Sequence, residues 1–144
     1  MTRAQSAAIP YRRAADNSLE VLLVTSRRQG RWVLPKGNIK QGMLPHTSAA
    51  REAFEEAGVV GLIERLPLGS YSQRKVAANG AATDVRVCAY AMLVNQELRN
   101  WPERAVRRRK WMRVRDAVEQ VRDTALRSIL ASFENEFSSR DVFE

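Results

Sequence analysis

An α/β fold is what this chain predicts, and three observations predict it. Short apolar, β-branched runs recur between Leu19 and Val114. One helical segment interrupts them from Pro45 to Ala57, and two segments of helical spacing close the chain. The 144 residues fit one ordinary domain, 1–144, and a hydrophobic share of 44% is enough for a packed core. A charged share of 28%, interleaved with apolar runs, argues against disorder. No repeat, low-complexity tract or linker divides the sequence.

Each element has a local reason. Leu19–Thr25 follows the turn-forming Asp16-Asn17-Ser18 and reads as a buried strand. Trp32-Val33-Leu34 is a shorter strand stopped by Pro35, and 36–42 is a loop punctuated by Gly37 and Gly42. Pro45 suits the first turn of a helix and Gly58 its stop, so the spacing predicts a helix over 45–57. Strands are expected over 62–71 and 85–94, separated by the flexible 77–82, and again at Trp111–Val114. Helices are expected from Val114 or Asp116 to Val121 and from Thr124 to Phe137. Val118, Val121, Leu126, Ile129, Leu130 and Phe133 form their apolar face.

The chemistry is concentrated on the first helix. Glu52, Glu55 and Glu56 stand at i, i+3 and i+4, which places three carboxylates on one helical face. Like charges at this spacing repel, and a hard divalent cation with oxygen ligands turns that repulsion into binding. The net charge of +8 calls for anionic partners, with eight basic residues against Glu103 alone between Arg99 and Arg115. Cys88 is the only cysteine, which excludes an internal disulfide, and it reads as a buried, inert thiol. His46, the only histidine, is expected to face solvent. With no apolar stretch near membrane-spanning length and no secretory h-region after Met1–Ser6, a cytoplasmic protein is expected.

Gly37 followed by Arg51-Glu52-Ala53-Phe54-Glu55-Glu56-Ala57-Gly58-Val59, without insertion between them, resembles the Nudix box. The first glutamate of that pattern falls at Met43, and Lys40 stands where relatives commonly carry an acid. The similarity extends over Glu20–Ser26, Arg31–Gly37, Glu97–Glu103 and Arg108–Trp111. These segments are similar to the diphosphoinositol polyphosphate phosphohydrolase branch of the Nudix superfamily. The resemblance implies an α/β/α sandwich with a mixed β-sheet, the catalytic helix packed against it. It implies a hydrolase that attacks a phosphoanhydride with a water polarised by Mg²⁺, or by Mn²⁺. Glu52 and Glu56 would be metal ligands, Glu55 a further or water-mediated one, and the Lys36 carbonyl would complete the inner sphere. Arg51 would pair with a helix carboxylate. Glu55 is the first candidate for the general base, with Glu97 or Glu103 as alternatives.

The substrate implied is a small polyphosphorylated molecule, a diphosphoinositol polyphosphate first. A dinucleoside polyphosphate, ADP-ribose or another nucleotide is the alternative. Lys36, Arg74, Lys75, Arg86, Arg109, Lys110 and Arg3 are the candidate phosphate donors, because a many-phosphate substrate needs several cations around the metal. Trp32, Trp101 and Trp111 read as core or wall residues rather than base-stacking platforms. Outside enzymes, the alternative is a Nudix-fold module that grips RNA through the Arg99–Arg115 stretch. Neither a monomer nor a homodimer is favoured by the sequence.

Overall fold

The computed structural model describes residues 2–140. Met1 and 141–144 of the expected 1–144 domain lie outside the described residues. Eight strands form one mixed sheet: β1 (Thr2–Arg13), β2 (Leu19–Thr25), β3 (Trp32–Val33), β4 (Lys36–Asn38), β5 (Val59–Ile63), β6 (Gly69–Val76), β7 (Ala82–Glu97) and β8 (Arg109–Arg113). The α-helices are α1 (Pro45–Glu52), α2 (Val114–Gln120) and α3 (Thr124–Ser138). A path β3-β2-β1-β7-β5 runs through the sheet; β8 pairs with β2, β4 with β1 and β6 with β7. Only β1 and β7 pair parallel, which makes the sheet mixed.

Period-2 alternation sends the strands' apolar residues to both faces. Val21 and Leu23 face α2 and α3, against Val121, Leu126, Leu130 and Phe133. Leu22 and Val24 face α1, where Ala49, Ala53 and Ala57 meet Ala8, Val59, Tyr90 and Met92. The helix side of this second core is alanine, and all three alanines are fully buried, so the α1 segment lies close on the sheet. Tyr11, Phe133 and Phe137 form an aromatic triad with ring centroids 4.5–5.2 Å apart. These are the two helical layers of an α/β/α sandwich. Among the described residues no helix is long and apolar enough to cross a membrane.

Several expectations change. The central strand β1 was absent from the sequence reading, because Ala7, Ala8, Gln5 and Ser6 carry little β-patterning and Pro10 argues against a strand. Pro10 is tolerated because β1 pairs with β4 over Gln5–Ala7 and with β2 over Tyr11–Arg13. Its missing N–H falls in the gap between these two partners. The loop expected at 36–42 begins with β4, held by that same strand. One strand expected at 62–71 is two, β5 and β6, both antiparallel to the 16-residue β7. Pro67 lies in the excursion between them, which Glu64 and Leu68 rejoin to β7 through their N–H groups at 2.9 and 2.8 Å.

Candidate metal centre and anion cleft

The helix expected over 45–57 begins at Pro45, but its α-helical bonding ends at Glu52. Ala53–Ala57 winds as a π-helical turn. Gly58 closes it in the left-handed region, φ 67°, with its N–H directed to the Ala53 and Phe54 carbonyls. This turn redistributes the carboxylates. With about 4.4 residues per π turn, i+4 returns to within roughly 35° of i, whereas i+3 lies roughly 115° round the axis. Glu56 therefore stays beside Glu52 while Glu55 turns away and pairs with Arg51, Nε to Oε2 2.8 Å. The expected convergence of three carboxylates becomes a convergence of two. Among the described residues no three acid, histidine or cysteine side chains come together as a metal cluster.

Glu52 and Glu56 are buried, at 6% and 5% exposure. The Lys36 N–H donates to Glu56 Oε1 at 3.3 Å. Lys40 Nζ stands 3.6 Å from Glu52, and Arg107 Nη2 stands 3.5 Å from Glu56. Burial above all pushes the Glu56 carboxyl up to about 8; Arg107 opposes this, and the Glu52 charge adds to it. Gly37, opposite Ser6 across the β4–β1 ladder, leaves the space that the Glu52 carboxylate fills. A Cβ at Gly37 would lie 2.6 Å from the carboxyl carbon of Glu52. Gly37→Ala is therefore expected to turn Glu52 out of place and to weaken Mn²⁺ binding by about 10–100-fold, the scale of lost support around a ligand. A calorimetric Mn²⁺ titration checks this, and unchanged affinity would show that the carboxylate has room to adjust.

The donors fit a hard divalent cation. Burial disfavours the charged form of Glu56 beside Glu52, and a divalent ion would supply the positive charge that favours it. Mg²⁺ takes oxygen ligands and commonly keeps several waters, so two side chains and one carbonyl suffice. Glu52 and Glu56 are the carboxylates that could hold such an ion, with the Lys36 carbonyl that the resemblance implies as a third ligand, while Glu55 is engaged by Arg51.

Beside this pair opens a cleft of about 620 Å³. Among the described residues, Glu56 and Asp123 are its only acidic lining, against Arg27, Arg31, Lys36, Arg74, Lys75, Arg107 and Arg122. Lys36 Nζ donates to Gln5 Oε1 at 3.3 Å. Burial first, then the neighbouring Lys75, lowers its ammonium to about 8. Of the candidate phosphate donors, Lys36, Arg74 and Lys75 thus line the cleft, and four do not. Arg86 lies between Val85 and Val87, which face the core under α3, so strand alternation turns it to the other side of β7. Arg3 is exposed and held by Asn38 Oδ1 at 2.9 Å. Lys110 is exposed on the edge strand β8.

Arg109 is the fourth, and it is a structural anchor. Its guanidinium stacks 3.9 Å above Trp101 and donates to the carbonyls of Ala57, Leu98 and Gly58 at 2.8, 2.6 and 3.4 Å. One side chain thus ties the end of the π turn to the segment that follows β7.

Arg107, Arg27, Arg31 and Arg122 were not singled out from the sequence. Arg107 had one local signal, its position four residues after Glu103, with which it pairs at 2.9 Å. Glu103 also reaches the metal centre electrostatically through Glu56, whereas Glu97 is engaged by Trp111 and Arg109. Trp101 donates its Nε1–H to the Glu56 carbonyl at 3.0 Å, and Trp111 lies under the Arg12 guanidinium. Trp32 is half-buried on the cleft wall. Cys88 is partly rather than fully buried, packed against the α1-side core. His46 is half-buried against Tyr90 rather than solvent-facing, because the first turn of α1 leans on β7.

The NUDIX domain model matches residues 2–133. Nudix hydrolase 12, mitochondrial, of Arabidopsis thaliana is 37% identical over 120 residues, covering 81% of this chain and 59% of that protein. Diphosphoinositol polyphosphate phosphohydrolase 3-beta of Bos taurus is 37% identical over 103 residues, covering 69% of this chain and 58% of that one. The match therefore spans less than two thirds of either relative's length. Among solved structures, the binary complex of a C. elegans Ap4A hydrolase superposes with a TM-score of 0.72 at 21% identity. The match covers 96% of this chain and 99% of that one, a likeness of fold.

Proposed function

The chain belongs to the NUDIX domain family, and on that premise we propose that it hydrolyses a phosphoanhydride bond in a small, highly phosphorylated molecule, a diphosphoinositol polyphosphate before others. The observation that carries this reading is the buried Glu52–Glu56 pair at the edge of a cleft walled by seven cationic side chains. A divalent cation, Mg²⁺ or Mn²⁺, supplies a polarised water and neutralises charge on the pyrophosphate oxygens when bound. Glu52 and Glu56 would hold that cation. Arg107 is fixed beside Glu56 by Glu103 and by the Thr25 carbonyl at 2.9 Å, which orients a guanidinium along the cleft. Lys36, Lys75 and Arg74 supply donors for the remaining phosphates, and arginine binds such oxygens bidentately. Glu55 or Glu103 takes the proton from the attacking water.

A second reading has one observation in its favour. Trp32 lies on the cleft wall beside Val33 and Leu34, an apolar surface on which a nucleotide base could stack. The substrate would then be a dinucleoside polyphosphate or ADP-ribose. Product release with Mg²⁺ from an inositol pyrophosphate, a diadenosine polyphosphate, ADP-ribose and a triphosphorylated RNA separates these readings. The inositol pyrophosphate is expected to give the highest kcat/KM, with a KM that rises steeply with salt, as binding by many ionic contacts requires. Best turnover of a nucleotide, with a KM insensitive to salt, would move the stacking reading forward. No turnover by folded protein, with tight RNA binding retained, would leave a binding module.

A further inference from the structure

The two side-chain cations that face the buried carboxylates are held in different ways. Arg107 pairs with Glu56, but its Nε also pairs with Glu103 at 2.9 Å and its Nη1 donates to the Thr25 carbonyl. Its side chain is 10% exposed, so it is locked in place by three partners. Lys40 has Glu52 as its one ion-pair partner among the described residues, at 3.6 Å, and its side chain is 44% exposed. Its backbone is fixed instead. The Lys40 N–H donates to Ser48 Oγ at 3.4 Å, and its carbonyl accepts the Met43 N–H at 3.0 Å. The ammonium thus swings on a flexible stem from a defined point at the solvent edge of the site. Met43, next along that turn, brings no charge to it.

We infer that Lys40 is a positioning residue that serves as a built-in counter-cation for Glu52, holding the carboxylate in the metal-free protein and releasing it when a divalent ion binds. The inference rests on the metal-site reading given above. Its physical basis is the asymmetry between the two cations. A half-exposed lysine pair contributes little, because water screens it and the long side chain must be ordered to make it. A divalent ion bound by two fixed carboxylates outcompetes such a pair. Arg107 cannot leave, since leaving would strip Glu103 and the Thr25 carbonyl of their donor. Exchange therefore takes place at Glu52, and Lys40 opposes metal binding both by occupying an oxygen and by repelling the incoming ion.

The test is Mn²⁺ binding without substrate, read by the electron paramagnetic resonance of free Mn²⁺. Wild type, Lys40→Gln, Glu56→Gln and Arg113→Gln are compared, the last removing a remote positive charge near Asp16. Lys40→Gln is expected to tighten Mn²⁺ about threefold, the scale of an exposed pair. Arg113→Gln is expected to leave the affinity unchanged. Equal or weaker Mn²⁺ binding by folded Lys40→Gln would overturn the exchange, and so would an equal gain in Arg113→Gln. Loss of binding in Glu56→Gln alone keeps the metal-site reading whatever Lys40 does. No Mn²⁺ uptake by wild type would overturn both.

Discussion

Glu56→Gln is expected to lower kcat at least about 10³-fold, since a catalytic metal contributes several kcal/mol of charge stabilisation and this change removes one of its two buried carboxylates. The same change is expected to leave the fold intact, because glutamine keeps the shape and still offers an oxygen to the Lys36 N–H. It also removes a pH dependence of stability. The Glu56 carboxyl is raised from 4.5 to about 8, mainly by burial, so the folded metal-free protein binds the proton more tightly than the unfolded chain. That contribution is complete below the unfolded value near 4.5 and is lost as pH rises through about 8. Without metal, the wild-type Tm should fall relative to that of Glu56→Gln across this window, and saturating Mg²⁺ should reverse the fall. Melting curves with and without chelator measure it. A wild-type Tm that tracks the variant at every pH would mean that Glu56 stays ionised in the fold without metal.

Arg109→Ala is expected to be the most damaging surface-adjacent change, lowering stability by about 2–4 kcal/mol with a matching drop in Tm. It would leave the carbonyls of Ala57 and Leu98 without their Arg109 donor, remove a weaker 3.4 Å contact from Gly58, and leave Trp101 without its cation. The strap after β7 rests on the same junction, because the Leu98 N–H donates to Gly58 and the Glu103 N–H to Glu55. Lysine should not rescue the variant, since one ammonium cannot span three acceptors and stack on the indole. Urea denaturation distinguishes this role from substrate binding. Stability close to wild type, with a raised KM, would return Arg109 to the phosphate donors.

The Nudix box was legible because its signals are local. Pro45 and Gly58 bound the helix, and the alanine face that packs on the sheet can be read from the spacing. Strand β2 and the two final helices were legible because each carries its own period, and the 77–82 turn because of its small, Gly80-containing composition. Strand β1 carries none, and it becomes a central strand only because β4 and β7 flank it. The fate of Glu55 was equally hidden. The spacing of 52, 55 and 56 gives one face in an α-helix and two directions in a π turn, and the turn is closed by Gly58, Trp101 and Arg109 from three places in the chain.

What the sequence by itself determined is the family, the sandwich architecture that the family implies, and a helix bearing Glu52, Glu55 and Glu56, of which the fold brings two together. The acids and the helix that bears them rest on spacing within a few residues, and the architecture on the resemblance along the chain. Tertiary structure alone decided which cations face the Glu52–Glu56 pair and its cleft. Arg107 reaches Glu56 across 51 positions and Lys40 pairs with Glu52, whereas Arg86, Arg109 and Lys110 do not line the cleft. The physical reason is that a charge is nonspecific in sequence. Its partner is set by strand alternation, by burial and by which carbonyls are left without donors, and those are properties of the packed chain.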